Sequence, residues 1–295
     1  MTKEYPETAQ EFASQFGTEE ACRQYLFEVR WGDTFTCPSC SHTHTWQHHR
    51  GIFRCKRCRR DVSVTAGTLF HGSRLPLRTW FQAAWCMVSQ KQGVSALGLS
   101  HVLGITRYET ALHLVRTIRA GMVRPGRERL TGVVEVDEVY LGGLRKGRKG
   151  RSALGRTLVL VAVEEKTVGI GRIRITAIPD ASLASLSRAI TAMVEPGSVL
   201  RTDQWQGYWG IAKYGYRHRV IKKRSLEPGE DPTPLVHRIA SLLKRVFLGT
   251  HQGRIHAHQL QGHLDEFVFR FNRRTSRSRG KLFFRLVQNM VAIPR

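Results

Sequence analysis

The sequence predicts a mixed α/β protein in which a small metal-bound unit and a helical region precede a sheet and its helices. Three observations predict it. Four of the six cysteines fall in two close pairs, Cys37-Pro-Ser-Cys40 and Cys55-Lys-Arg-Cys58. Residues 76–122 carry apolar positions at helical spacing. From Val133 onward the texture changes to strand-length apolar runs broken by one helical stretch, which is the pattern of a mixed sheet.

Residues 1–30 are a helical lead-in, with Phe12, Phe16, Cys22, Tyr25, Leu26 and Val29 as its apolar positions. Residues 31–71 are the metal unit. Two CxxC turns at this separation set Cys37, Cys40, Cys55 and Cys58 around one tetrahedral Zn²⁺ of structural type. The residues between the pairs are long enough for a β-hairpin. Two disulfides or redox CxxC motifs are the alternative, but a disulfide scaffold would not need the large core that follows. His42, His44, His48 and His49 lie in the same loop and could each replace a cysteine, although four thiolates already complete the site.

Residues 72–125 are a helical region. Trp80, Phe81, Ala84, Trp85 and Val88 form an amphipathic stripe. Beyond it, a helix, a turn at Gly104, a Thr106 cap and a second helix outline a helix-turn-helix. Arg107, Tyr108 and His113 would then stand near the start of the recognition helix. A plain αα-hairpin fits the same residues. A linker follows, Val-Arg-Pro-Gly-Arg-Glu-Arg-Leu over 123–130.

In the domain over 126–295, strands are expected at 133–140, 157–163, 171–178 and 198–201. Ser182 caps a helix that stops at Pro196-Gly197. Residues 145–151 form a basic loop, and from Pro234 the pattern is helical, with a break at Gly249 to Gly253. Carboxylates are scarce here. Asp137 lies in or at the end of the first strand and Asp203 directly follows the fourth. Carboxylates at strand ends stand where metals and substrates bind, and two from different strands can share divalent ions. A cap or turn role is the alternative for each. Glu138 points to the opposite face from Asp137.

Composition selects the partner. Lys and Arg number 47 against 23 Asp and Glu, a net charge of +24 with pI near 10.7. That excess marks a polyanion binder, and with zinc it favours nucleic acid over a membrane surface. A structural RNA-binding protein fits the charge as well. The N-terminus is polar, without an apolar leader, and no run approaches a membrane span, so a cytoplasmic protein with reduced cysteines is expected.

Two segments, Val133-Val134-Glu135-Val136-Asp137-Glu138-Val139-Tyr140-Leu141-Gly142-Gly143 and Arg201-Thr202-Asp203-Gln204-Trp205-Gln206-Gly207-Tyr208, resemble the core of DDE-type insertion-sequence transposases. The blocks over 236–253 and 265–274 are similar to the C-terminal part of the ISXO2-like branch, which also carries an N-terminal zinc ribbon. The resemblance implies an RNase H-like catalytic domain over 126–295. It implies a DNA transposase that binds terminal inverted repeats in double-stranded DNA and performs metal-dependent cleavage and strand transfer. It further implies Mg²⁺ or Mn²⁺, a homodimer or higher homo-oligomer, and a bacterial or archaeal cytoplasm with nucleoid association.

Carried over by position, Asp137 and Asp203 match the first two catalytic acids. The third position falls on His237, 34 residues after Asp203 and 7 before Lys244. Relatives usually carry Glu there, or Asn in parts of this branch. A neutral imidazole adds no charge and suits Mn²⁺ better than Mg²⁺. Lys244, Arg245, His251, Arg270, Arg273 and Arg274 are candidate phosphate contacts, as is Arg107 in the helical region. Asp265 or Glu266 is an alternative third acid, although Glu266 is expected to pair with local arginines. A non-catalytic zinc-ribbon DNA-binding regulator derived from such an enzyme is the rival reading.

Overall fold

The computed structural model describes residues 5–48, 51–91, 93–142, 156–251, 255 and 257–294. The basic loop expected at 145–151 and His49 lie outside them. The chain divides into two compact units, Met1–Gly126 with Thr275–Arg295, and Arg127–Arg274.

The first unit opens with α1 (Ala9–Gln15) and α2 (Glu19–Trp31). Thr8 and Thr18 cap them by accepting the N–H groups of Glu11 and Ala21, each three residues further on. A three-stranded antiparallel ribbon follows, β1 (Thr45–His48), β2 (Ile52–Cys55) and β3 (Asp61–Ser63). Arg30 of α2 donates to the carbonyls of Ser63 and Val64 at 3.0 and 2.9 Å, which ties the ribbon to the helix. Then come α3 (Leu77–Ser89), α4 (Ala96–Leu103) and α5 (Tyr108–Gly121). Gly104 ends α4 in the left-handed conformation at φ 65°, where a Cβ would be penalised, so the turn between α4 and α5 is the expected one.

The last helix departs from the expected division. Residues 275–295, at the far end of the chain, join the first unit, where α9 (Arg279–Ala292) packs against α2, α3 and α5. Phe283 meets Phe12, Phe16, Phe81 and Trp85 with centroids 5.3–6.4 Å apart. Gly121 permits the approach of α5 to α9, because a Cβ there would lie 2.3 Å from Cγ of Met290. The aromatic positions of the lead-in thus have their partners at the far end of the chain, so the domain expected over 126–295 gives up its C-terminal segment.

The second unit is a five-stranded sheet in the order β6-β5-β4-β7-β8. β4 (Val133–Leu141), β5 (Thr157–Glu165) and β6 (Ile170–Ile178) form an antiparallel meander. α6 (Leu183–Met193), capped by Ser182 as expected, crosses over to β7 (Val199–Thr202), which lies parallel to β4, and β8 (Arg217–Val220) adds in parallel at the edge. Both faces are covered. Val134, Val136, Leu158 and Leu160 face α6 and the turns around Tyr208 and Ile211. Val139, Val159, Val161 and Ile173 face α7 (Pro234–His251) and α8 (Ala257–Phe271). Strand alternation therefore sends Glu135 and Asp137 toward α7 and Glu138 toward α6.

Candidate active site

The zinc ligands come together as two matching knuckles. Cys37 N–H donates to the His42 carbonyl and Cys55 N–H to that of Arg60, both at 3.0 Å. Ser41 and Arg59 return N–H bonds to the Cys37 and Cys55 carbonyls from left-handed φ of 58° and 61°. The four ligand atoms lie within 4.8 Å of one another, with Cys37–Cys58 and Cys40–Cys55 sulfurs at 3.7 and 3.6 Å. Tetrahedral Zn–S bonds of about 2.3 Å put sulfurs about 3.8 Å apart, so the donor set fits zinc and not a disulfide.

The acidic residues meet through sheet register. β4 and β7 pair as Val133–Val199, Val134–Leu200 and Glu135–Arg201. Asp137 and Asp203 each stand two residues beyond that last pair, so parallel register sets them side by side. Asp137 is mid-strand rather than terminal, because β4 continues against β5 to Leu141 after β7 has ended. Oδ1 of Asp203 accepts the N–H of Trp205 at 2.9 Å, closing the turn that leaves β7. Asp137 is buried; burial raises its carboxyl above the usual range, the Thr233 hydroxyl pulls it back, and the Asp203 charge pushes it up further.

α7 brings His237 beside Asp137. Nε2 of His237 lies 3.5 Å from Oδ2 of Asp137, while Nδ1 is in short contact with Oδ2 of Asp231. Asp137, Asp203 and His237 are nonetheless spread wider than the cysteines. Among the described residues, only the cysteine set gathers three or more potential ligand atoms within 4.8 Å.

Sequence reasoning missed three residues here. Thr233 is fully buried and donates its hydroxyl to Oδ2 of Asp137 at 2.6 Å. Asp231 accepts the Thr233 N–H at 2.9 Å through Oδ1. Glu135, also fully buried, accepts the Val236 N–H at 2.7 Å and lies 3.9 Å from Arg201. Burial pushes its carboxyl up to about 7, against the pull of Val236 N–H and Arg201. The available signals were strand parity with Asp137 and an Asp-Pro-Thr run just ahead of a helix. Glu138, on the other face, accepts the Tyr208 hydroxyl at 2.7 Å, as its parity implied.

The basic candidates divide. Lys244 and Arg245 are exposed on α7, and Arg107 is exposed at the start of α5. Arg270 is different: its side chain is 12% exposed and lies 3.4 Å from Glu266, which is itself buried on α8. Arg273 stacks on Phe269 and donates to its carbonyl at 3.1 Å. Arg274 stacks on Phe271 and donates to the carbonyls of Gly171, Phe271 and Ile170. All three guanidinium groups have partners within the protein that fix α8 and its C-terminal turn, and of the three only Arg274 is an exposed residue. His251 closes α7, and its side chain lies outside what is described.

No helix among the described residues is long and apolar enough to cross a membrane. Comparison with known proteins agrees with the two units. The ISXO2-like transposase domain matches residues 129–272 and the transposase zinc-ribbon domain matches residues 17–61, together more than half of the chain. A protein of Halobacterium salinarum, described as an uncharacterized protein in transposable element ISH50, is 29% identical over 140 residues. That match covers 45% of this chain and 46% of the relative, so the chain spans about half of that protein's length. A chain of the simian T-cell lymphotropic virus intasome in complex with the PP2A regulatory subunit B56 gamma aligns over 58% of this chain and 63% of its own. At 16% identity and a TM-score of 0.30 that likeness carries no argument. With the zinc-ribbon and ISXO2-like domains both matched, the chain belongs to the ISXO2-like family of zinc-ribbon insertion-sequence transposases.

Proposed function

We propose that this protein is a DNA transposase that binds the terminal inverted repeats of a mobile element and catalyses metal-dependent strand cleavage and strand transfer. One observation carries the reading: Asp137 and Asp203 each stand two residues past the last β4–β7 pair, side by side in parallel register, with His237 brought beside Asp137 by α7. The strand order, a three-stranded meander followed by two parallel strands, supports an RNase H-like reading of the core.

The donor set fits a divalent cation. Two neighbouring carboxylates, one buried and raised by the other's charge, gain from a shared positive ion. Asp137, Asp203 and His237 would hold Mg²⁺ or Mn²⁺, and the imidazole nitrogen favours Mn²⁺. A two-ion site spans about 3.5–4 Å between ions, so its ligands spread wider than those around a single zinc. When bound, the ions supply Lewis-acid activation of the attacking oxygen and stabilise the departing one. The protein supplies the frame: Thr233 fixes Oδ2 of Asp137, the Trp205 N–H fixes Asp203, and Glu135 anchors the first turn of α7.

Lys244 and Arg245, exposed on the helix that carries His237, would meet the phosphate backbone near the reacting bond. The zinc ribbon, with Arg107 and the α4–α5 turn, would hold the repeat. Joining two ends calls for a homodimer or larger assembly. The test is strand transfer on a duplex carrying the element's own end, in Mn²⁺ and in Mg²⁺. Turnover abolished by Asp203→Ala at unchanged end binding supports the enzyme. End binding without any turnover in either metal would make the protein a DNA-binding regulator.

A further inference from the structure

A histidine in the third position is short of one negative charge relative to a carboxylate, and Asp231 stands where that charge would come from. Oδ1 of Asp231 accepts the Thr233 N–H at 2.9 Å, and Oδ2 is in short contact with Nδ1 of His237. The ring's other nitrogen faces Oδ2 of Asp137 at 3.5 Å, beyond the range of a normal charge-assisted hydrogen bond. That same oxygen already accepts the Thr233 hydroxyl at 2.6 Å.

The two nitrogens of His237 are therefore in unlike settings. Nδ1 has an anionic acceptor in contact and is the atom that keeps a proton. Nε2 is turned toward Asp137, where an ion bound by that carboxylate would stand. Metal-bound histidines are commonly oriented this way, with a carboxylate on the far nitrogen that fixes the tautomer and raises the ligand's basicity. We propose that Asp231 is a positioning residue for the divalent-ion site: through its contact with Nδ1 it holds His237 with Nε2 turned toward Asp137, and it lends the site the charge that the imidazole lacks. The inference rests on reading His237 as the third ligand. It explains how a DDE-type site can use a histidine: Asp231 and His237 together stand in for one carboxylate, extended by a ring.

The test uses the full chain without DNA. Mn²⁺ affinity is measured by calorimetry in five proteins: the natural sequence, Asp231→Asn, His237→Glu, the double variant of these two, and His237→Ala. Asp231→Asn is expected to weaken Mn²⁺ about 10-fold in the natural background. With His237→Glu, Asp231 faces another carboxylate, so Asp231→Asn is expected to leave affinity unchanged or raise it. Equal weakening in both backgrounds would mean that Asp231 only holds the loop through Thr233, and would overturn the inference. If His237→Ala binds Mn²⁺ as the natural protein does, the third-ligand reading itself fails. If His237→Ala weakens binding and Asp231→Asn does not, only the role of Asp231 fails.

Discussion

The N–H of Val236 donates to Oε1 of Glu135 at 2.7 Å, so the first turn of α7 begins on a buried carboxylate of β4. The orphan N–H groups at a helix start need acceptors, and an anion there also meets the positive end of the helix dipole. Two residues further along the same strand face, Asp137 accepts the hydroxyl of Thr233, just ahead of the same helix. Two carboxylates of one strand thus fix where α7 begins, and with it the place of His237, one residue after Val236.

Glu135→Ala should destabilise the protein by about 1–3 kcal/mol, because it strands a buried donor and leaves a void. Glu135→Gln keeps an acceptor of the same shape for the Val236 N–H and should cost less. Urea unfolding of both variants checks the order. Equal stability of the alanine variant and the natural protein would mean that α7 is held by its apolar face alone.

What was legible in the sequence was local. The runs at 133–140, 157–163 and 171–178 read as strands because their β-branched residues fill both faces of a covered sheet, and β4, β5 and β6 occupy them. The place of Asp203 followed from where such a run ends, whereas Asp137 lies in the middle of its strand. β8 was not legible, since Arg-His-Arg-Val is a polar edge with no alternating apolar face. Nor was the return of α9 to the first unit, which depends on Phe283 finding Phe12 and Phe16. Glu135, Asp231 and Thr233 were missed for the same reason. Their roles arise only when α7 folds back on β4, about a hundred residues away.

Cys55→Ser should release zinc, because the ribbon has four thiolates and no spare ligand in place among the described residues. The loss should weaken binding to the element's end while the 127–274 unit keeps its fold, since none of that unit's sheet depends on the ribbon. Atomic absorption and far-ultraviolet circular dichroism measure the two effects. A variant that retains stoichiometric zinc and full end binding would refute the four-cysteine site.

DNA affinity should fall steeply with salt. A chain of net charge +24 releases counterions from each phosphate it neutralises. Lys244→Ala and Arg245→Ala should each reduce the slope of log affinity against log salt by about 1, because both side chains are exposed. Arg270→Ala should instead lower stability, since its partner Glu266 is buried. A flat salt plot for the natural protein would exclude a phosphate-dominated interface.

Glu164 gives a pH signature in the sheet. Burial pushes its carboxyl up, but the Arg172 guanidinium and the N–H groups of Thr131 and Arg172 outweigh it, so the folded value lies below the ordinary one. A depressed carboxyl contributes stability that is present above its unfolded value, about 4.3, and lost as pH falls through the folded value. Glu164→Gln should therefore cost about 1–3 kcal/mol at neutral pH and progressively less below pH 4. Unfolding measured at pH 7 and pH 3.5 checks the convergence; a constant gap would assign the effect to packing.

The third ligand is decided by comparing His237 with Glu266. His237 lies 3.5 Å from Asp137 on the central strand β4, whereas Glu266 is buried on α8, 3.4 Å from Arg270, and α8 covers the same face of the sheet along its edge strand β6. His237→Ala should cut strand transfer sharply while leaving end binding intact, because its loss removes one donor from the proposed ion site and nothing from the zinc ribbon. His237→Glu should retain turnover and shift preference toward Mg²⁺, since a carboxylate brings a hard oxygen and a charge. Glu266→Gln should lower thermal stability, because it leaves Arg270 without its charged partner, yet keep the rate per folded molecule. Asp203→Ala serves as the inactive reference. Single-turnover strand transfer in Mg²⁺ and Mn²⁺, normalised to folded protein, separates the cases. Normal turnover in His237→Ala together with a dead, fully stable Glu266→Gln would move the third ligand to α8.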